Sequence, residues 1–129
     1  MLHRTLGFIA VAAWLSGCTL MPGMEDEQPA PPAKPITCRD GADCEGKWAR
    51  AAAWLNQNSV NRIRVQTDSV LQTAEAADPN EPVYTVTKSS GRNGVNEISF
   101  AWTCGQPSSC RPSPAEARVS FERYVLAMP

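Results

Sequence analysis

Two cysteine pairs with the same spacing, Cys38-x5-Cys44 and Cys104-x5-Cys110, bracket most of the chain that is able to build a core. The stretch 38–129 holds 92 residues. A domain of that size folds alone but buries only about 60–65% of the surface its unfolded chain exposes, so covalent staples matter. Four cysteines allow three connectivities. Local pairing, Cys38 with Cys44 and Cys104 with Cys110, is favoured because each pair has five residues between its members and sits beside an element boundary. Loops that short can meet the Cα separation of about 4.4–6.8 Å that a disulfide needs. Crossed pairing stays open at this point. Each bridge would add about 2–3 kcal/mol by constraining the unfolded chain. A metal site is the rival use of these thiols. Metal-binding pairs usually lie two to four residues apart, and the one histidine, His3, sits at the far N-terminus. No metal or other cofactor is expected.

The N-terminus has the three parts of a secretory leader. Residues 1–5 carry Arg4, Leu6–Leu15 is a charge-free apolar run of ten, and the small residues Ser16 and Gly17 follow. A membrane-spanning helix needs about 20 apolar residues, twice this run. A buried helix is the other reading, but Gly17 and the prolines beyond it oppose continuing one.

Leu15-Ser16-Gly17-Cys18 resembles the lipobox of bacterial lipoproteins. In that family the cysteine thiol is diacylated, the leader is cut before it, and the new amino terminus is acylated. The resemblance makes 1–17 a signal peptide and Cys18 the lipidated first residue of the mature chain. A thiolate is a strong nucleophile for thioether formation, and several acyl chains anchor stably where one would not. Thr19 stands where an Asp tends to retain such proteins in the inner membrane. The resemblance therefore implies a bacterial outer-membrane anchor, with the domain facing the periplasm. That compartment is oxidising, and with Cys18 acylated the odd total of five cysteines resolves into an even set.

After Cys18 the chain cannot pack. Pro22, Pro29, Pro31, Pro32 and Pro35 surround the acidic triplet Glu25-Asp26-Glu27. Prolines fix φ and remove donors, so 18–37 is expected to be an extended tether reaching about 60 Å at about 3.1 Å per residue. A docking peptide for a proline-recognising partner is the sharper alternative. The acids are most simply a solubilising run.

The domain proper, 38–129, predicts a helix, four strands and a helix. The first helix spans 43–57, with Asp40 or Asp43 as cap, Trp48, Ala52 and Leu55 on one stripe, Ala51 at its margin and Trp54 further round. Two tryptophans on one helix suit the core of a small domain better than a ligand site. Residues 61–67 alternate, setting Ile63 and Val65 against Arg62, Arg64 and Gln66. Strands over 70–74 and 83–88 follow, then the turn 89–94 and the strongest strand, 96–104, with Ile98, Phe100, Trp102 and Cys104 on one face. The second helix has Ser113 as cap, Pro114 in the first helical position and Glu116 closing a capping box. Its apolar stripe is Ala117, Phe121, Tyr124, Val125 and Met128. One antiparallel meander with both helices on one face makes a two-layer α+β domain.

The pattern Cys38-x5-Cys44-x3-Trp48-x5-Trp54, followed by Cys104-x5-Cys110 and a C-terminal amphipathic helix carrying Tyr124-Val125, resembles a group of small proteobacterial lipoproteins over roughly 38–125. The resemblance supports the fold and the local pairing, and implies no activity or catalytic residues.

Little chemistry is available to the mature chain. Without histidine there is no Ser-His-Asp or Cys-His machinery. There is no glycine-rich phosphate loop and no C-x-x-C. Carboxylates remain: Asp40, Asp43 and Glu45 cluster at the first helix, and Glu97 would need a second acid across the sheet. A glycosidase requires two such acids about 5–9.5 Å apart in a cleft, whereas acids at a helix start usually cap it. With 12 Lys+Arg against 13 Asp+Glu, the chain lacks the basic footprint of a nucleic-acid binder. Arg62 and Arg64, extended by Lys88 and Arg92 if the register allows, form a candidate binding face for a phosphate or carboxylate. A solvated strand face is the plainer reading. The expectation is a lipid-anchored, non-enzymatic envelope lipoprotein that binds a protein, glycan or lipid component. The alternatives are an inhibitor or immunity-like protein, with loops 89–95 or 105–109 as its probe, and a small glycan-processing enzyme.

Overall fold

The computed structural model describes residues 34–127. The leader 1–17, Cys18, most of the tether and Met128 lie outside the described residues. Five strands and two helices follow in the order β1 (Ile36–Arg39), α1 (Ala42–Asn58), β2 (Ile63–Gln66), β3 (Val70–Thr73), β4 (Val83–Ser90), β5 (Val95–Thr103) and α2 (Pro114–Leu126). All strand pairs are antiparallel, in the spatial order β1-β5-β4-β3-β2. The α+β class, the meander β2–β5 and the closing helix follow the pattern of the sequence. No described helix is long and apolar enough to cross a membrane.

One strand was not anticipated. Residues 36 and 37, assigned above to the tether, open β1, so the domain begins before Cys38. Ile36 and Cys38 turn inward and are buried, while Thr37 and Arg39 turn outward and are exposed. Pro35 sits just before Ile36, where a missing N–H does no harm to the ladder.

α2 forms as its first turn dictates. Ser113 Oγ accepts from the Glu116 N–H at 3.3 Å, and the Glu116 carboxylate accepts from the Ser113 N–H at 3.0 Å. Ala117, Phe121 and Val125 bury against the rest of the domain. α1 is capped differently from the expectation. Its N-cap is Gly41, at φ +83°, and no side chain caps it. Asp43 lies inside the first turn and accepts from the Arg39 N–H at 2.8 Å, and Asp40 accepts from the Asn96 amide at 2.6 Å. The acids fasten α1 to β1 and β5 instead of closing its own end.

The buried arc of α1 is also rotated from the expected stripe. Cys44, Ala51, Trp54 and Leu55 are its buried residues, because the sheet and α2 both press on it. Trp54 is the hub. Its ring stands edge-on to Tyr84 (5.3 Å between centroids), Phe100 (5.5 Å) and Phe121 (5.4 Å). Phe100 stacks on Phe121 at 4.5 Å and on Tyr84 at 5.4 Å. The indole N–H donates to Ser120 Oγ at 3.0 Å, so this large ring is buried without orphaning its donor. Tyr84 is fully buried, and burial pushes its hydroxyl up to about 12.

The β4–β5 hairpin turns through Asn93 (φ +58°) and Gly94 (φ +71°), with the Val95 N–H on the Arg92 carbonyl at 3.2 Å. Two adjacent positive φ angles match the right-handed twist of the strands, and Asn-Gly is the pair that tolerates them best.

Both disulfides are local. Cys38–Cys44 joins β1 to α1 across a Cα separation of 5.0 Å, and Cys104–Cys110 closes the loop after β5 across 6.2 Å.

Two carboxylates tie stability to acid. Main-chain N–H and hydroxyl donors of Ser113 hold Glu116 below its usual 4.5, and the Arg39 N–H with Lys47 holds Asp43 below 3.8. These bonds favour the charged forms. Their stabilisation is fully present above the ordinary values and is lost as pH falls through the lowered native ones. The melting temperature should therefore be level above about pH 5 and decline below about pH 4. In a pH series of melts, Glu116→Gln should show a shallower decline than the native protein. An unchanged slope would remove Glu116 from the account.

Candidate functional site

The sequence placed Arg62, Arg64 and Gln66 on one wet strand face. The structure puts both arginines at the rim of the sheet. β2 is an edge strand, and Arg62 lies just before it, its carbonyl accepting from the Ala74 N–H at 2.9 Å. The β2–β3 register pairs Ile63 with Thr73 but Val65 with Gln72. Arg64 is thus the extra residue of a bulge, yet the expected alternation persists in burial, with Ile63 and Val65 half-buried and Arg62, Arg64 and Gln66 exposed. Both arginines are exposed, and neither pairs with a carboxylate among the described residues. A bulge and charge together are a common way of blunting an edge. They also leave two guanidiniums free for an anion.

Lys88 and Arg92 do not extend this rim. Lys88 follows Tyr84 and Val86 on the helix-facing side of β4 and sets its ammonium 4.9 Å from the centre of the Trp48 ring. Arg92 belongs to the β4–β5 turn. The two helix tryptophans therefore divide. Trp54 is core, while Trp48 is half-buried, donating its indole N–H to the Thr67 carbonyl at 3.3 Å under a cation–π lid. Sequence reasoning passed over this Trp48–Lys88 pair. The signal was absent, because only the register brings position 88 beside the β2–β3 turn, where the Lys88 N–H meets the Ser69 carbonyl at 2.8 Å.

The acids do not assemble a catalytic pair. Asp40 and Asp43 are held by Asn96, Arg39 and Lys47. Glu97 stands between Thr37 of β1 and Ser89 of β4, with no acid opposite it. Asp78 accepts from the main chain and side chain of Asn80 at 2.8 and 3.0 Å, the bonds of a turn. No group of three or more His, Cys, Asp or Glu residues suited to a metal occurs among the described residues.

Of the two loops considered as probes, 89–95 is largely absorbed into the hairpin. The loop 105–109 is different. It carries a short 3-10 turn at Pro107–Ser109 and is exposed over 105–108. The disulfide closes it, and three bonds pin it to the 78–82 loop. The Gln106 N–H meets the Pro79 carbonyl at 3.1 Å, the Arg111 N–H meets the Asn80 carbonyl at 3.0 Å, and Ser109 Oγ meets Asn80 Oδ1 at 2.5 Å.

No family model, curated protein or solved structure matches this chain.

Proposed function

We propose that this chain is a lipid-anchored envelope lipoprotein whose stapled domain binds an anionic envelope component, without catalysing a reaction. The observation that carries the reading is the rim of β2, where Arg62 and the bulged Arg64 have no carboxylate partner among the described residues. Planar guanidiniums bind phosphate and carboxylate in bidentate fashion, so the chemistry fits a lipid phosphate, a peptidoglycan carboxylate or an acidic protein surface. Anchoring through Cys18 and outer-membrane placement rest on the lipobox and Thr19 alone.

Crosslinking pull-down from intact envelopes tests both halves. Arg62→Ala with Arg64→Ala should lower the captured component at least tenfold while leaving the circular dichroism spectrum unchanged. Cys18→Ser should abolish incorporation of a labelled fatty acid and release the protein from the membrane fraction. Equal capture by the arginine variant would defeat the anionic reading, and unaltered acylation of Cys18→Ser would defeat the anchor.

The pinned 105–109 loop favours a second reading, an inhibitor-like domain that presents this loop to a periplasmic enzyme. A rigid, exposed, disulfide-closed loop loses little entropy on binding. Under this reading Ser108→Arg abolishes capture and the arginine pair is dispensable.

A further inference from the structure

β1 pairs with β5 only over Val95–Ile98. The rest of β5, Ser99–Thr103, has β4 on one side and, among the described residues, no strand on the other, where Lys34 and Pro35 lie near Ser99 and Phe100. The direction of its main-chain groups follows from hydrogen bonds elsewhere in the sheet. The Lys88 N–H donates to Ser69, so even-numbered residues of β4 point to β3 and odd-numbered ones to β5. The pairs Thr85–Ala101 and Thr87–Ser99 then turn the odd residues of β5 toward β4. The N–H and C=O of Phe100 and Trp102 are left facing the free side. The Asp40 N–H on the Gly94 carbonyl, on the β1 side, has the same parity. No hydrogen bond from that side reaches these four groups among the described residues. Burial agrees: Val86 and Tyr84 are fully buried, while Phe100 and Trp102, directly beside them, stay half-buried.

The other two edges are defended. On β2 the defence is the bulge and the two arginines. On β1 the outward groups are capped by α1, with the Thr37 carbonyl accepting from Lys47 Nζ at 2.9 Å and the Arg39 N–H donating to Asp43. The Ser99–Thr103 edge has no charge, proline, glycine or bulge, the profile of an edge that pairs.

We propose that this edge pairs antiparallel with the same segment of a second copy of the chain, about a two-fold axis through Ala101. That register is self-complementary. It sets Phe100 opposite the partner's Trp102, and the reverse, so all four free groups enter ladder bonds while the aromatic rings form two cross-strand pairs. An uncharged segment meets its copy without repulsion. The preceding chain is a poor occupant on composition, because Pro29, Pro31 and Pro32 lack the N–H donors that a ladder needs. A five-residue seam falls below the roughly 1,000 Å² of a stable interface. The dimer is therefore reversible and concentration-dependent.

Ala101 is exposed and lies opposite its own copy on the outer face, so it is the position to test. Sedimentation velocity on the full-length protein across a concentration series should show a monomer–dimer equilibrium. Ala101→Lys and Ala101→Glu should each raise the dissociation constant at least tenfold, and an equal mixture of the two should restore the dimer. Hydrogen exchange at the Phe100 and Trp102 amides should slow as concentration rises. The proposal is overturned if the native protein stays monomeric at millimolar concentration, or if Ala101→Lys dimerises as the native protein does. It is equally overturned if those amides are protected in the monomer, which would mean that the chain covers its own edge.

Discussion

Trp54→Ala should cost the domain about 3–5 kcal/mol, the usual penalty for truncating a buried tryptophan, and lower its melting temperature by roughly 15–30 °C. The size follows from the position of the ring. Trp54 is 1% exposed and touches three other aromatic rings, one on each of β4, β5 and α2. Its loss opens a cavity where both layers meet, and the surrounding rings cannot all collapse into it. It also leaves Ser120 without its donor. Natural domains hold only about 5–15 kcal/mol in total, so the variant should sit near the unfolding threshold at 37 °C. Trp48→Ala is the control. That ring is half-buried and should cost much less, about 1–2 kcal/mol. Thermal melts of the two variants, with disulfides intact, check the ordering. Equal losses would mean that Trp54 is not the hub.

The second large effect separates the two disulfides. Converting Cys38 and Cys44 to Ala should cost about 3–5 kcal/mol, against about 2–3 kcal/mol for Cys104 and Cys110. The loops are equally long, each with a sequence separation of 6, so the entropy of closure is the same for both. The difference lies in what each bridge holds. Cys38 and Cys44 are 2% and 5% exposed and join a four-residue edge strand to α1. Removing them leaves a gap in the core and frees a strand with a single neighbour. Cys104 is half-buried, Cys110 is buried but lies outside the main core cluster, and their loop keeps the bonds to Pro79 and Asn80 after the bridge is gone. Denaturant titration of the two double variants decides the matter, and a costlier loss at 104–110 would reverse this account.

The elements legible in the sequence are those whose signals are local. The capping box of α2 and the alternation of β5 need only neighbouring residues to act and form where their patterns lie, while the turn expected over 89–94 forms only in its second half, because β4 runs on to Ser90. The equal cysteine spacings likewise pointed to the local bridges. What escaped depends on contacts distant in the chain. β1 holds four residues beside a proline-rich stretch, and its inward Ile36 and Cys38 gain meaning only against Ile98 and Asn96. Trp54 looks peripheral on a single helical wheel, because the wheel does not include α2. The bulge at Arg64 depends on its partner strand, so the candidate binding face could be named by residue but not by shape. The Trp48–Lys88 pair and the free side of β5 lie wholly in the register.

The bridge between β1 and α1 has a mechanical consequence. A pull on the N-terminal segment enters the fold at Ile36 and acts first on the edge strand. Only Ile36 and Thr37 can peel away before the load reaches Cys38. From there the force passes through sulfur to Cys44 and into the first turn of α1, bypassing the remaining ladder bonds of β1. The crosslink acts as a strain relief, keeping tension applied at the N-terminal end of β1 from unzipping the sheet.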